Sequence, residues 1–277
     1  MVFILYFTNV AFSSGQSVLG KVYTSKNDNP LEFNINKAIA ALIVFAALGI
    51  YGNISLHIPT VIYGACYGAF LCFSMHAGLK ALSMGPIALT SILASFSLII
   101  PFLFGIFVLR EPITVYGIIG VVLLFVAIIM INGKKEKGLS LKWWAFALLT
   151  LISNGICSLV QKFHQINFPK QQRIEFMLAS MITVLIILML LNFTKRERKK
   201  LCLRTTGLLS GVMNGTANYI ILYLAATEKA SVLFPVISVI NVISIFAIGR
   251  IFFKERLKLS QIIGLVFGLA SVVLLNL

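Results

Sequence analysis

Two copies of one pattern constrain the fold of this chain more than any other feature of its sequence. Residues 83–132 align without a gap on residues 227–276, at a shift of 144 positions. Matches among Leu, Ile and Val mean little, because apolar sequence draws on a small alphabet. The matched pairs that chance explains least are Glu111 with Glu255, Gly120 with Gly264, and Asn132 with Asn276. We therefore expect an internal duplication.

Each copy consists of two apolar runs joined by a short charged turn. The turns are Arg-Glu-Pro at 110–112 and Lys-Glu-Arg at 254–256. Each run exceeds the roughly 18 residues that indicate a helix crossing the hydrocarbon core of a bilayer. Backbone amides in that core are satisfied only within helices or closed barrels, and the period-two alternation of barrel strands is missing from these runs. The copies are predicted to be transmembrane helical hairpins.

The composition of the whole chain agrees with a membrane protein. Hydrophobic residues make up 59% and charged residues 11%, against about 45–50% and about 25% in soluble domains. The net charge of +15 resides mostly in short loops between apolar runs, as in membrane topology, so no nucleic acid is expected as a partner. The four cysteines have neither disulfide nor metal-ligand spacing, and no phosphate-binding loop occurs. We expect no metal and no cofactor; the expected partners are the lipid bilayer and a small-molecule substrate.

The predicted fold class is an all-α integral membrane protein with ten transmembrane helices. The spans are approximately 2–23, 36–53, 59–82, 86–109, 113–132, 143–163, 175–193, 206–226, 230–252 and 259–277. A first five-helix repeat (1–132) and a second (143–277) flank a basic connecting loop (133–142). Five is an odd number, so the second repeat enters the membrane from the opposite face. Such inverted-topology repeats are a device of transporters, which rock two halves about a central site.

The order of small residues, a proline within the helix, a glycine and a charged turn resembles the EamA-type permeases of the drug/metabolite transporter superfamily. The residues that carry this resemblance are Pro101 and Pro235, Gly105 and Gly249, Glu111 and Glu255, Gly120 and Gly264, Gly15 and Gly155, and Lys162. The family often has Trp-Gly in the first helix of each half, whereas Ser14 and Asn154 precede the glycines here. The resemblance implies a secondary transporter built from two EamA repeats.

The distribution of Lys and Arg predicts how the chain sits in the membrane. Loops after odd-numbered spans, with the nearby helix ends, hold 18 of the 23 basic residues, Lys37 among them. By the positive-inside rule these loops face the cytoplasm and both termini lie outside. The expected location is a cell membrane, with a bacterial cytoplasmic membrane as the leading case.

Acidic residues are expected to lie outside the middle of every span. All eight occur in loops or at helix ends: Asp28, Glu32, Glu111, Glu136, Glu175, Glu197, Glu228 and Glu255. A carboxylate kept within a membrane usually serves function, so a carboxylate-driven proton antiporter is not expected. Glu111 and Glu255 are interpreted as caps of the helix that follows each turn, where a negative charge is favoured.

Stripes of polar side chains are the predicted substrate path, because an amide in a membrane helix needs polar partners that lipid cannot supply. The candidate substrate-binding residues are Asn9, Ser13, Gln16, Ser17, His76, Ser91, Asn154, Ser158, Asn214, Asn218, Tyr219 and Asn241. Two readings of His76 stay open: a neutral imidazole bonded to a neighbouring helix, or a substrate contact or proton-coupling group. Pro101 and Pro235 interrupt matched helices and are candidate gating bends.

The leading functional hypothesis is a carrier that exports small organic metabolites such as amino acids. A sugar or nucleotide-sugar carrier of the same architecture, or a non-transporting membrane scaffold, is an alternative, and no catalytic set indicates an enzyme. Close helix packing is predicted at three glycine motifs: Gly64-x3-Gly68, Gly211-x3-Gly215 and Gly264-x3-Gly268. The last motif leaves a monomer or a homodimer open.

Overall fold

The structure is a computed structural model that describes residues 2–26, 29–50, 54–55, 57–98, 100, 104, 114–132, 140–168, 172–194, 202–227, 230–254 and 259–274. Its helices are α1 Val2–Lys26, α2 Pro30–Ile50, α3 Ile58–Met84, α4 Ile87–Ser95 with a 3-10 turn Phe96–Leu98, α5 Val115–Asn132, α6 Leu141–Asn167, α7 Arg173–Thr194, α8 Thr205–Thr227, α9 Ala230–Phe252 and α10 Leu259–Leu274. No strand occurs among these residues, which confirms the all-α class. Pro101, Gly105, Glu111 and Glu255 fall outside the described ranges.

Length and apolar character suit several helices to a bilayer. Four described stretches are long and apolar enough to cross it: Pro30–Ile50, Ile58–Met84, Leu141–Gln161 and Arg173–Phe193. Large apolar side chains are exposed on the outer surface, among them Ile50 at 81% and Phe252 at 74%. Hydrocarbon is the environment that covers such a surface at no cost, so the protein is a multi-pass membrane protein. The count of ten crossings stays a prediction.

The start of α2 differs most usefully from the hydropathy prediction. The helix begins at Pro30 rather than at residue 36, so Asn34, Asn36 and Lys37 lie within its first turns. Proline suits the first helical turn because its missing amide would be unpaired there. The Asn29 carbonyl accepts from the Phe33 amide at 3.4 Å, and the Asn29 side chain lies 3.3 Å from a Glu32 oxygen. Because of these local contacts, α2 begins six residues before the predicted start of the apolar span.

The helix packing is pseudo-symmetric: the most extensive contacts between helices have equivalent contacts between the corresponding helices of the other half. Taking α1–α5 as equivalent to α6–α10, the packing of α3 on α6 corresponds to that of α1 on α8. Likewise α2 packs on α8 as α7 packs on α3, and α4 packs on α6 as α9 packs on α1. The equivalent pairs α2 with α7, α4 with α9 and α5 with α10 also pack together. A duplicated chain predicts this arrangement, in which the halves interleave.

Two glycines allow the closest of these equivalent helix contacts. A Cβ atom on Gly211 of α8 would lie 2.2 Å from the Lys37 carbonyl oxygen of α2. A Cβ atom on Gly68 of α3 would lie 2.4 Å from the Ser180 carbonyl oxygen of α7. A glycine at each position therefore lets two backbones touch, as small residues do in membrane helix pairs.

The junction of the two halves is built around a buried tryptophan. Trp143 lies in the first turn of α6, where the Ser140 hydroxyl caps the helix by accepting from the Trp143 amide at 3.2 Å. Its indole nitrogen donates to the Thr90 hydroxyl of α4 at 3.2 Å. A Cβ atom on Gly85 would clash with the indole, so the turn between α3 and α4 fits closely over the ring. The second half is thereby anchored on the first.

Candidate functional site

A cavity of about 270 Å³ lies between the two halves. Its walls come from α1, α2, α3 and α4 of the first half and from α6 and α8 of the second. It lies beside the C-terminal parts of α1 and α3, the N-terminal part of α2, residues 90–94 of α4, and the middle of α6 and α8. The polar residues of its lining are Gln16, Ser17, Asn34, Lys37, Ser74, Thr90, Ser91, Thr150, Asn154 and Asn214.

One wall of the cavity is an amide pair that joins the halves. The Asn214 side chain of α8 donates to the Gln16 side-chain oxygen of α1 at 2.9 Å, and both residues are half-buried. Each amide has further hydrogen-bonding capacity beyond this one bond. Ser17 lies beside Gln16 in the lining, with its hydroxyl donating to the Ser13 carbonyl at 3.3 Å. The pair can therefore offer both donors and acceptors to a bound solute.

A second polar pair lines the cavity between α3 and α6. The Ser74 hydroxyl donates to the Asn154 side-chain oxygen, which leaves the amide nitrogen of Asn154 as a donor. Thr150, one turn earlier on α6, also faces the cavity and donates to the Phe146 carbonyl of its own helix at 2.8 Å. This wall therefore mixes a free amide donor with hydroxyl oxygens that can accept.

Lys21 joins α1 to α3 at the end of the cavity that lies nearest the turn between α3 and α4. Its ammonium donates to the Leu82 carbonyl at 2.9 Å and to the Gly85 carbonyl, both at the C-terminal end of α3. A cation is stabilised at such an end because the last carbonyls of a helix lack amide partners. Lys21 thus ties the end of α1 to the end of α3 and has a structural task there.

Five of the ten polar lining residues are not among the predicted substrate contacts: Ser74, Thr90, Thr150, and Asn34 and Lys37 of α2. The two residues of α2 are the most informative of these. They lie three positions apart on one helical face, and Lys37 is half-buried. The sequence places Lys37 among the basic residues of the membrane face, because it is next to the predicted start of the span at residue 36. The signal in the sequence that could have identified them is the i, i+3 spacing of two polar residues beside an apolar run.

Comparison with known proteins identifies this architecture. The model of the EamA-like transporter family matches residues 1–133 and again residues 141–277. The chain belongs to the EamA-like transporter family. It is therefore a membrane transporter of the drug/metabolite type, and members of this family are transporters rather than enzymes.

The EamA-like transporter also resembles solved structures. Twenty-eight chains of solved structures match its fold. One of them, a crystal structure described only as "Crystal structure of protein", is 12% identical and superposes with a TM-score of 0.64 over 99% of this chain and 95% of that one. At this identity the likeness concerns the fold alone. No curated protein matches the chain in sequence.

Several residues predicted to bind substrate form helix contacts in this EamA-like transporter. Asn9 is fully buried and donates to the Ala217 carbonyl of α8 at 2.7 Å. The side-chain oxygen of Asn241 on α9 accepts from the Ser14 hydroxyl at 3.0 Å. Neither predicted residue lies in the described lining of the cavity. Their contact with substrate stays a prediction.

Others bond within their own helix or face away from the cavity. Asn218 donates to the Asn214 carbonyl at 2.8 Å, and Ser158 to the Asn154 carbonyl at 3.0 Å. Tyr219 is 39% exposed on the outer surface. Of the twelve residues predicted for substrate binding, the described lining contains Gln16, Ser17, Ser91, Asn154 and Asn214.

His76 and Pro235 complete the predicted set. His76 is half-buried on α3 between the lining residues Met75 and Gly78, without belonging to the described lining itself. Pro235 lies within α9, whose helix runs on through it from Ala230 to Phe252. A proline there removes one helical hydrogen bond, and its role as a gating bend stays a prediction.

The interface between α3 and α6, the α3–α6 seam, is closed by His164 and its neighbours at the end away from the cavity. His164 lies near the end of α6, beyond the apolar stretch Leu141–Gln161, and stacks on the Phe176 ring with a centroid distance of 4.5 Å. Its Nε2 lies 3.3 Å from the Thr60 hydroxyl, which in turn donates to the Gln172 side chain. Glu175, next to Phe176 on α7, accepts from the Ser55 amide at 3.1 Å. Aromatic and hydrogen-bonded contacts therefore pack this end of the seam.

Burial is the main reason that the pKa of His164 lies below its ordinary value of 6.5. The Glu175 carboxylate opposes this lowering of the pKa, and His57, the residue immediately before α3, adds to it. The folded protein therefore binds fewer protons at this site than the unfolded chain does as the pH falls below about 6.5. The neutral imidazole stabilises the fold above that pH, and this contribution is lost progressively on acidification.

We accordingly expect acid to destabilise the packed end of the seam through His164. Melting temperatures measured in detergent from about pH 7.5 to about pH 5.5 should fall for the wild type, and the fall should be smaller in His164→Gln, whose amide stays neutral. An equal fall in both proteins would show that other groups cause the acid sensitivity.

Proposed function

We propose that the protein is a secondary carrier that exports small organic metabolites, such as amino acids, by alternating access between two inverted five-helix repeats, 1–132 and 143–277, joined by the loop 133–142. The observation that carries this proposal is the cavity between the two halves, whose lining includes ten polar residues. Such a cavity costs a membrane protein stability unless a polar solute or water fills it. A scaffold has no use for one.

The size and lining of the cavity favour a small zwitterionic or neutral solute. Its volume of about 270 Å³ lies just below the roughly 300–1,000 Å³ of sites for drug-sized ligands. A nucleotide sugar is larger than such ligands and would not fit without a change of shape. The Gln16–Asn214 and Ser74–Asn154 pairs supply amide and hydroxyl groups that can form hydrogen bonds with a small molecule.

The arrangement supports alternating access, with the described state facing the cytoplasm. The cavity lies between the middle of the bundle and the face that bears the basic odd-numbered loops. On the other side, the His164–Phe176 stack fills the space between α6 and α7 beside the N-terminal end of α3. A carrier that exports solute must load from the first face and open at the second.

The lining also bears on how transport is driven. None of its described residues is Asp or Glu. A carboxylate proton relay within the cavity is therefore not proposed. Direct coupling to ATP is not proposed either, because the sequence has no phosphate-binding loop.

Thiol labelling in intact cells tests the proposed orientation, in which both termini are outside. The native Cys202, exposed before α8, lies on the proposed cytoplasmic side. The exposed Asn167 at the end of α6 lies on the opposite side. In a Cys66→Ser background we expect Cys202 to resist a membrane-impermeant maleimide until the cells are lysed, and Asn167→Cys to react at once. Reversed labelling would overturn the orientation and leave the fold intact.

Uptake by the purified protein in proteoliposomes tests the function itself. The panel consists of labelled L-alanine, L-leucine, L-phenylalanine, glucose and a nucleotide sugar, each with and without a pH gradient. We expect saturable uptake of at least one amino acid and none of the nucleotide sugar. Uptake of the sugar or nucleotide sugar alone would replace the amino-acid proposal by the alternative carrier.

A further inference from the structure

We propose that Lys37 and Asn34 form a subsite that binds the carboxylate of the transported metabolite. This inference rests on the proposed function and names the substrate class. Both residues lie on α2 and line the cavity. The subsite occupies the wall of the cavity formed by the first turns of that helix, at the end nearest the basic loops.

The charge of the cavity is the first argument. Among the described lining residues, Lys37 is the one that carries a charge. A charged side chain inside a membrane protein is costly unless a group of opposite charge or several hydrogen bonds compensate it. An anionic group of the substrate would supply that compensation through a charge-assisted hydrogen bond.

The acid nearest in sequence does not serve as that partner. Glu32 lies in the first turn of α2 and is buried, and its Oε1 atom is 2.5 Å from the guanidinium Nε of Arg204. Its other oxygen lies within 3.3 Å of the Asn29 amide. Glu32 therefore belongs to an ion pair that ties α2 to the start of α8, and Lys37 remains the cation of the cavity.

Asn34 supplies a second, independent observation. Only 1% of the residue is exposed, and its Nδ2 atom has no hydrogen-bond partner among the described residues. A buried amide nitrogen without an acceptor costs roughly 1–3 kcal/mol, so such groups are normally satisfied by a ligand or by water. Lys37 follows one turn later on the same face of α2. A carboxylate bound between them would accept from the ammonium with one oxygen and from the amide with the other.

The backbone that carries the subsite is packed closely against α8. Gly207 and Gly211 of α8 lie against α2 at Asn36 and at the Lys37 carbonyl, where a Cβ atom would come within 2.7 Å and 2.2 Å. A closely packed backbone limits where the ammonium can reach, which is the preorganisation that a selective site needs.

The number of donors in the subsite favours a carboxylate over a phosphate. A single cation and one amide suit a monoanionic carboxylate, whereas a phosphate dianion usually binds to more than one cation.

The experiment compares acids with their carboxamides in proteoliposomes. The probes are L-alanine, L-leucine and L-phenylalanine, the carboxamide of each, L-lactate and glycerol 3-phosphate. For the wild type, the acids should inhibit uptake of the labelled amino acid at concentrations at least about tenfold lower than their carboxamides do. Lys37→Met should raise the KM of the acid at least about tenfold and remove the discrimination, and Lys37→Arg should keep it.

Two further variants control for charge and for folding. Lys26→Met removes an exposed cation at the end of α1 and should transport like the wild type. Asn34→Ala removes the side-chain amide without changing the charge and should raise the KM of the acids by a smaller factor than Lys37→Met does. Binding measured as a rise of melting temperature with each probe gives the same comparison without transport, including for a variant that inserts poorly.

The outcomes separate the subsite from the function. Uptake of acids with unchanged KM and unchanged discrimination in Lys37→Met would overturn the subsite and leave the carrier standing. Stronger inhibition by glycerol 3-phosphate than by the acids would overturn the assignment to carboxylate. If the wild type transports none of the probes and none raises its melting temperature, the subsite and the proposed function both fail.

Discussion

Replacing Gly211 by alanine is expected to lower the melting temperature of the protein in detergent by about 2–10 °C. The added Cβ atom would lie 2.2 Å from the Lys37 carbonyl oxygen and 2.7 Å from the Ala40 side chain. No rotamer relieves a clash with backbone, so α2 and α8 must move apart. Overpacking of this kind costs roughly 1–3 kcal/mol of unfolding free energy, the origin of the expected shift.

Gly78→Ala is the matched control, because it makes the same change within a helix. A Cβ atom on Gly78 would lie 3.5 Å from the Thr150 methyl group, which is an ordinary van der Waals contact. Alanine is favoured over glycine in a helix interior by about 1 kcal/mol, so this variant should melt at the wild-type temperature or above it. Equal losses in the two variants would contradict the close contact between α2 and α8.

Replacing Asn214 by leucine is expected to raise the KM for the transported metabolite at least about tenfold, which corresponds to about 1.4 kcal/mol. The change removes a lining amide and the donor to Gln16, whose oxygen then faces the cavity alone. Leucine also fills part of a cavity of about 270 Å³. The pair is half-buried and faces the cavity, so water can pair with the Gln16 oxygen after the bond between the halves is lost. The melting temperature should therefore fall less than in Gly211→Ala.

Asn218→Leu, one turn further along α8, is the control. The Asn218 amide donates to the Asn214 carbonyl of its own helix at 2.8 Å and is outside the described lining. We expect its KM to stay within about twofold of the wild type, since exchange of a residue outside the site leaves the pocket contacts unchanged. Equal KM changes in the two variants would place the substrate path elsewhere on α8.

Hydropathy predicted most of the helices to within a few residues, because membrane helices are specified by long apolar runs. The start of α2 was the exception. Pro30 and Glu32 begin this helix through local backbone and side-chain contacts, and the residues that follow are polar. A hydropathy reading counts those polar residues against a span, although Asn34 and Lys37 line the cavity and Asn36 donates to the Cys202 carbonyl before α8.

The sequence predicts which types of residue line the candidate site, but it does not predict which face of each helix meets the cavity. The sequence identified Gln16, Asn154 and Asn214 as amides that require polar surroundings, and the structure brings all three to one cavity. The sequence does not show whether Asn214 or Asn218 lines the cavity, because residues four apart share a helical face. Only the packing of α8 decides which of the two meets the cavity.

Lys37 shows a second limit of the sequence. A lysine close to the end of an apolar run has the same appearance whether it anchors the span at the membrane face or lines a cavity. The distinction depends on where α2 begins and on how α8 packs against it, and both are properties of the folded chain.

Counterflow in proteoliposomes tests the central claim, that the cavity between the halves carries small metabolites across the membrane. Vesicles loaded with an unlabelled amino acid from the panel are diluted into a trace of the same labelled compound, and the label inside is followed over time. The account predicts a transient accumulation above the outside concentration, absent from protein-free vesicles and reduced in Asn214→Leu. Label that enters no faster than in protein-free vesicles, for every compound of the panel, would contradict it.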